Sequence, residues 1–153
     1  MVALLLLGCA SGPITAELTQ RGRPAESLVM SWESGLFGES GRIFARLPNG
    51  ERLTGKYLVV SNGLTREKIG TVWPEAPMPW DDASTFDEDP WTIGPSLLDF
   101  HASHTNKAVA KLEGDRGTAM LCRFTLNAGG SGMGGGGSGT CKVSTGGKIA
   151  ARF

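Results

Sequence analysis

Between Thr118 and Leu126 the chain alternates. Thr118, Met120, Cys122, Phe124 and Leu126 face one way, and Ala119, Leu121, Arg123 and Thr125 face the other. A period of two puts successive side chains on opposite faces of a pleated strand, and it marks half-buried strands of an antiparallel sheet. The pattern recurs. Ile43, Ala45 and Leu47 share a face, as do Cys141 with Val143, and Ile149 and Ala151 with Phe153. Nowhere does an apolar stripe persist over three helical turns. Turn signals separate the alternating runs, and the 23 glycines suit a chain with many tight turns. At 153 residues one domain with a real core is the natural organisation. The expectation is an all-β fold, a small antiparallel β-barrel or sandwich of about seven to eight strands over residues 25–153. Its expected core is Ile43, Leu47, Leu53, Tyr57, Met120, Phe124, Leu126, Val143, Ile149 and Phe153. Closing the sheet would remove edges that invite aggregation.

The sequence also repeats itself. Ala45–Tyr57 aligns without gaps on Cys141–Phe153. Cations coincide at Arg46/Lys142, Arg52/Lys148 and Lys56/Arg152, and apolar residues at Leu47/Val143, Leu53/Ile149 and Tyr57/Phe153. Each copy reads as a hairpin, with Asn49–Gly50 and Gly146–Gly147 supplying positive φ at the turn. The two copies are either equivalent cationic ribbons able to meet an acidic partner, or solvated exterior strands of a barrel.

The amino terminus carries a different signal. Val2–Leu7 is apolar but far short of the ~20 residues that span a bilayer. It has the character of the end of a secretory h-region. No basic n-region precedes it, so residues 1–8 read as a truncated signal peptide. Leu6–Leu7–Gly8–Cys9 resembles the lipobox of bacterial lipoproteins. That resemblance implies S-lipidation of Cys9 as the mature amino terminus. With Ala10 following, it also implies sorting to the periplasmic face of the outer membrane. Each buried acyl CH₂ contributes about 0.8 kcal/mol, and two or more chains anchor stably. Residues 9–24 then read as a lipidated tether. If Cys9 carries lipid, Cys122 and Cys141 remain as an even pair in an oxidising compartment, where a disulfide persists. In a cytosolic protein with a hydrophobic amino-terminal strand, the same two would be buried thiols.

Trp73–Pro95 interrupts the strand pattern with five prolines, three tryptophans and the acids Asp81, Asp82, Asp87, Glu88 and Asp89. Trp80, Asp81, Asp82 and Trp91 are the candidate contacts to an envelope protein partner, because Trp anchors are enriched at interface hot spots. Ca²⁺ binding by the carboxylates and a simple surface loop are the alternatives. Asp99, His101 and His104 offer Zn²⁺ ligands, but in an extended strand the two histidines diverge and no third strong ligand follows. Gly129–Gly139 lacks the Gly-Lys-Ser/Thr closure of a phosphate loop and reads as a flexible connection, so no cofactor is expected. Ser103 and Ser131 sit in no nucleophile elbow. Formal net charge is zero, which argues against a nucleic-acid partner.

The lipobox, residues 41–60 and the Cys122…Gly-rich…Cys141 region of 114–153 resemble small uncharacterised lipoproteins of Gram-negative bacteria. The resemblance implies a membrane partner through the lipid and no established activity. Leu53–Thr54–Gly55–Lys56–Tyr57 is faintly similar to the Ser-Gly-x-x-Tyr loop of lipoprotein inhibitors of host lysozyme. Thr54 stands in place of Ser and the spacing is one short, so no inhibitory residue is carried over. The expected function is an envelope lipoprotein acting by binding or as a structural component, not an enzyme. The alternative is a periplasmic protein-binding inhibitor that docks through the acidic Trp segment.

Overall fold

A computed structural model describes residues 9–35, 38–60 and 106–153. Eight strands follow one another: β1 Ser11–Thr19, β2 Glu26–Ser34, β3 Ser40–Arg46, β4 Arg52–Val60, β5 Lys107–Gly114, β6 Ala119–Leu126, β7 Gly137–Val143 and β8 Lys148–Arg152. Each pairs antiparallel with its neighbour, and β8 returns to β1 to close the barrel. The all-β antiparallel architecture expected from the alternation is therefore observed, in its closed form.

The inside is apolar. Met30, Ile43, Leu53, Tyr57, Met120, Phe124 and Ile149 are buried in one core cluster that runs around the barrel. An eight-stranded barrel has an interior just wide enough for side chains to fill. Nine of the ten expected core residues are buried, and Phe153 packs half-buried against Phe124 with its ring edge-on at 5.5 Å. The outward positions are largely polar, the reverse of a membrane-spanning barrel, which keeps its apolar band outside. No helix among the described residues is long and apolar enough to cross a membrane.

Two expectations need correction. Residues 9–24 are not a tether, because Ser11–Thr19 is the first strand of the barrel. Ile14, Ala16 and Leu18 alternate into the core there, and the domain begins near residue 11 rather than 25. Gly12 and Pro13 masked this run in the sequence. Pro13 is tolerated two residues into a strand whose start need not be fully paired. The Gly-rich connection is also more ordered than expected. Gly129–Gly135 forms 3-10 turns, broken at Gly132 (φ 56°), and Gly137–Val143 is already β7. Met133, buried with Gly132, belongs to the core cluster and fixes the segment over the barrel end.

The repeat corresponds to the β3–β4 and β7–β8 hairpins, four strands apart around the barrel. Gly50 N–H donates to the Leu47 carbonyl and Leu47 N–H to the Glu51 carbonyl; Gly146 and Val143 do the same, the latter to Gly147. These are three-residue hairpin loops that need left-handed backbone at one glycine, Gly50 (φ 86°) or Gly146 (φ 87°). Asn49 is not in that region. The β5–β6 hairpin uses the same turn at Gly114–Thr118, a third copy that side-chain identity conceals.

Cys122 and Cys141 oppose each other across β6 and β7 and form a disulfide, with Cα atoms 4.0 Å apart. Both side chains point into the core. The bridge closes a loop of sequence separation 19. Replacing both cysteines with alanine is expected to lower unfolding free energy by about 3 kcal/mol, measured by urea denaturation under non-reducing conditions.

Candidate functional site

The antiparallel order gives the barrel two unlike ends. At one end lie the short β1–β2, β3–β4, β5–β6 and β7–β8 turns. At the other lie the chain before β1, the β2–β3 and β6–β7 connections, the end of β4, the start of β5 and Phe153. Chemistry that varies belongs on loops held by a rigid scaffold, so the loop-bearing end is the candidate site.

Cys9 is there, exposed and unbridged, two residues before β1. The adjoining Ala10 carbonyl accepts a 2.7 Å bond from Ser34 N–H, which ties the chain to β2 immediately after the cysteine. Behind this entrance, Trp32 lies under the Gly-rich turn; a Cβ on Gly134 would meet its ring at 3.7 Å. The β6–β7 segment is held at its other side by paired bonds between Gly137 and Phe153.

Tyr57, the sole tyrosine, is buried in the same half of the barrel. Its hydroxyl has no hydrogen-bond partner among the described residues. Burial pushes its ionisation up to about 12. No sequence signal marks this orphaned hydroxyl, because the alternation asks only for an apolar body at position 57.

The opposite end is sealed by a polar plug. Glu51 is buried, and its carboxylate accepts bonds from Thr118 Oγ1 (2.6 Å), Thr118 N–H (3.1 Å) and Arg116 N–H (3.1 Å). Arg116 also donates from its guanidinium to the Asn49 carbonyl at 3.2 Å. Glu51 and Thr118 occupy the same position in two copies of the repeated turn, so the turn geometry brings them together. The Thr118 hydroxyl holds the Glu51 carboxyl below the usual carboxylate range, helped by the two backbone donors and the Arg116 charge, while burial pushes the other way.

On the outside, the register lines up Arg42, Lys56, Lys111, Leu121, Lys142 and Lys148 in one row across six strands. Like charges directly opposite one another are destabilising. Lys111 is paired with Glu113 at 3.0 Å. The sequence reading of cations on one face of both repeats holds, and register adds Arg42 and Lys111 to the same row. A groove of about 650 Å³ lies on the outer wall of β1 and β6–β8, lined by short side chains such as Thr15, Ser138, Thr140 and Ala150.

Trp80, Asp81, Asp82 and Trp91, with Asp99, His101, Ser103 and His104, lie outside the described residues. Among the described residues, no group of three His, Cys, Asp or Glu side chains could hold a metal ion.

Two variants test the buried polar groups. Tyr57→Phe removes a hydroxyl without a partner, so it is expected to stabilise the protein by about 1 kcal/mol at neutral pH, read by urea denaturation. The folded phenol stays protonated where the unfolded one ionises, so Tyr57 costs stability as pH rises from about 10 towards 12. The variant lacks that part of the alkaline loss. For Glu51 the sign is opposite. Its folded carboxyl titrates below the unfolded value, so its stabilisation is present above about pH 4.5 and drains away as pH falls through the folded value. Glu51→Gln is expected to lose about 1–3 kcal/mol at pH 7 and to show a shallower decline on acidification.

No family model, no curated protein and no solved structure matches the chain.

Proposed function

We propose that the protein is a lipid-anchored component of the bacterial envelope that works by binding rather than by catalysis. The observation that carries this reading is the unequal fate of its three cysteines. Cys122 and Cys141 are bridged inside the core, and Cys9 is exposed at the loop-bearing end. A disulfide built into the core belongs to a chain that folds in an oxidising compartment. The third sulfur sits in a lipobox-like Leu-Leu-Gly-Cys sequence.

Anchoring at Cys9 has a geometric consequence. Only Ala10 separates it from β1, and two extended residues span about 7 Å. The loop-bearing end would then lie close against the bilayer, with the Glu51 plug directed away from it. Binding by such a protein would use the barrel walls and the far hairpins more readily than the shielded end.

Metabolic labelling with an alkyne-bearing palmitate analogue tests the anchor. Label is expected on the wild-type protein and its loss on Cys9→Ala, with the Cys122–Cys141 bridge retained in both. An unlabelled wild-type chain, or equal label on the variant, would refute the proposal.

A further inference from the structure

On the outer face of the β3–β4 hairpin, the register sets Arg42 directly opposite Lys56 and Arg46 directly opposite Arg52. Phe44 and Thr54 face each other between these two pairs. All four cations are exposed, and Phe44 is half-buried. Like charges directly opposite one another destabilise a sheet, and an exterior strand ordinarily avoids them by mixing signs. One short hairpin carries two such pairs. No carboxylate among the described residues forms an ion pair with any of the four. Glu113 holds Lys111 instead, and Asp115 accepts a 3.3 Å bond from the Arg52 backbone N–H. Glu33 stands exposed opposite Arg42 without joining it.

Apolar groups are interleaved with this charge. The outward side chains of β3 read cation, aromatic, cation at Arg42, Phe44 and Arg46. The Arg42 guanidinium lies 5.1 Å from the centre of the Phe44 ring, which draws it over the middle of the face. On β2, Val29 is the register partner of Arg46 and is 74% exposed, the one large apolar side chain so exposed among the described residues. β3 and β4 each have a strand on both sides, so their backbone N–H groups are taken up in the ladders and form no nest for a small anion. An occupant of such a face must be extended and must carry its charges at intervals. An extended polypeptide repeats its same-face side chains about every 6.6 Å, the repeat of β3 itself. A phosphate polymer has the charge but nothing apolar to set against Phe44 and Val29. Three of the four cations are arginine, whose planar fork takes a carboxylate through two bonds.

We infer that the outer face of β3–β4, framed by Arg42, Arg46, Arg52 and Lys56, is the docking surface for an extended acidic segment of a partner protein, with acid, apolar and acid side chains at every second position. The acids lie over the two cation pairs and relieve their repulsion, and the apolar side chain between them meets Phe44. This inference rests on the proposed role in binding and is independent of the anchor, which palmitate labelling reads separately.

Fluorescence anisotropy with the full-length protein tests it. One fluorescein-labelled peptide repeats Glu-Ser-Leu-Ser; a second has the same composition with its glutamates gathered at one end. The repeating peptide is expected to bind at least about tenfold more tightly than the second. Arg46→Glu combined with Arg52→Glu is expected to weaken its binding at least about tenfold. Lys148→Glu combined with Arg152→Glu makes the same change in net charge at exposed positions of the β7–β8 hairpin, and is expected to leave binding unchanged. Circular dichroism and the retained Cys122–Cys141 bridge check that each variant is folded. No binding by the wild type, or equal binding of the two peptides, would overturn the inference. So would equal loss in the two double variants, which reports net charge alone. Linear polyphosphate of matched charge displacing the repeating peptide more strongly than unlabelled peptide does would also overturn it, assigning the face to polyanions at large.

Discussion

The register that pairs Thr15–Thr19 with Lys148–Arg152 leaves every strand of the described barrel with a partner on both sides. Buried backbone N–H and C=O groups must be satisfied, and a closed sheet satisfies them without an exposed edge. The apolar interior depends on that closure. Ala16 and Leu18 on β1 face the core beside Ile149 and Ala151 on β8, and neither set would be shielded if the sheet stayed open. The disulfide sits two strands from this seam and secures β6 to β7 where the intervening chain is mostly glycine.

The fold was legible where the alternation was unbroken. Met120–Cys122–Phe124 and Ile43–Ala45–Leu47 announced inward faces that the structure fills as expected. β1 was not legible, because its apolar residues include the small Ala16 and its start holds Gly12 and Pro13. The third copy of the repeated turn is hidden in the sequence for another reason. A turn is defined by backbone hydrogen bonds and one left-handed glycine, and Gly114–Thr118 shares those with Leu47–Glu51 while sharing almost no side-chain chemistry. The candidate site was less legible still. Cysteine identity pointed to Cys9 and the bridge, but the Glu51–Thr118 contact joins residues far apart in the chain, and only the register of β4 with β5 brings them together. Alternation assigns Leu121 and Arg123 to solvent, yet both are buried.

The two ends divide the labour of the domain. Short turns at the Glu51 end leave little freedom, and a buried carboxylate with three donors fixes two hairpins to each other. Such a network is favourable only when every member is satisfied. The other end carries the long connections and the exposed cysteine, so substitutions and insertions there leave the strand pairing untouched. This arrangement suits a protein whose scaffold is constant and whose contacts are made by what the scaffold presents.

The seam between β1 and β8 has a temporal side. Each strand from β2 onward finds a preceding neighbour to pair with as the chain is made, but the outer edge of β1 waits for a partner encoded after all the others. Until β8 arrives, the outer edge of β1 is an open template on which a second nascent chain could add a strand. The interval is lengthened by residues 61–105, which must pass before β5 can extend the sheet. Crowding several incomplete chains together would therefore turn a harmless delay into a route to intertwined dimers.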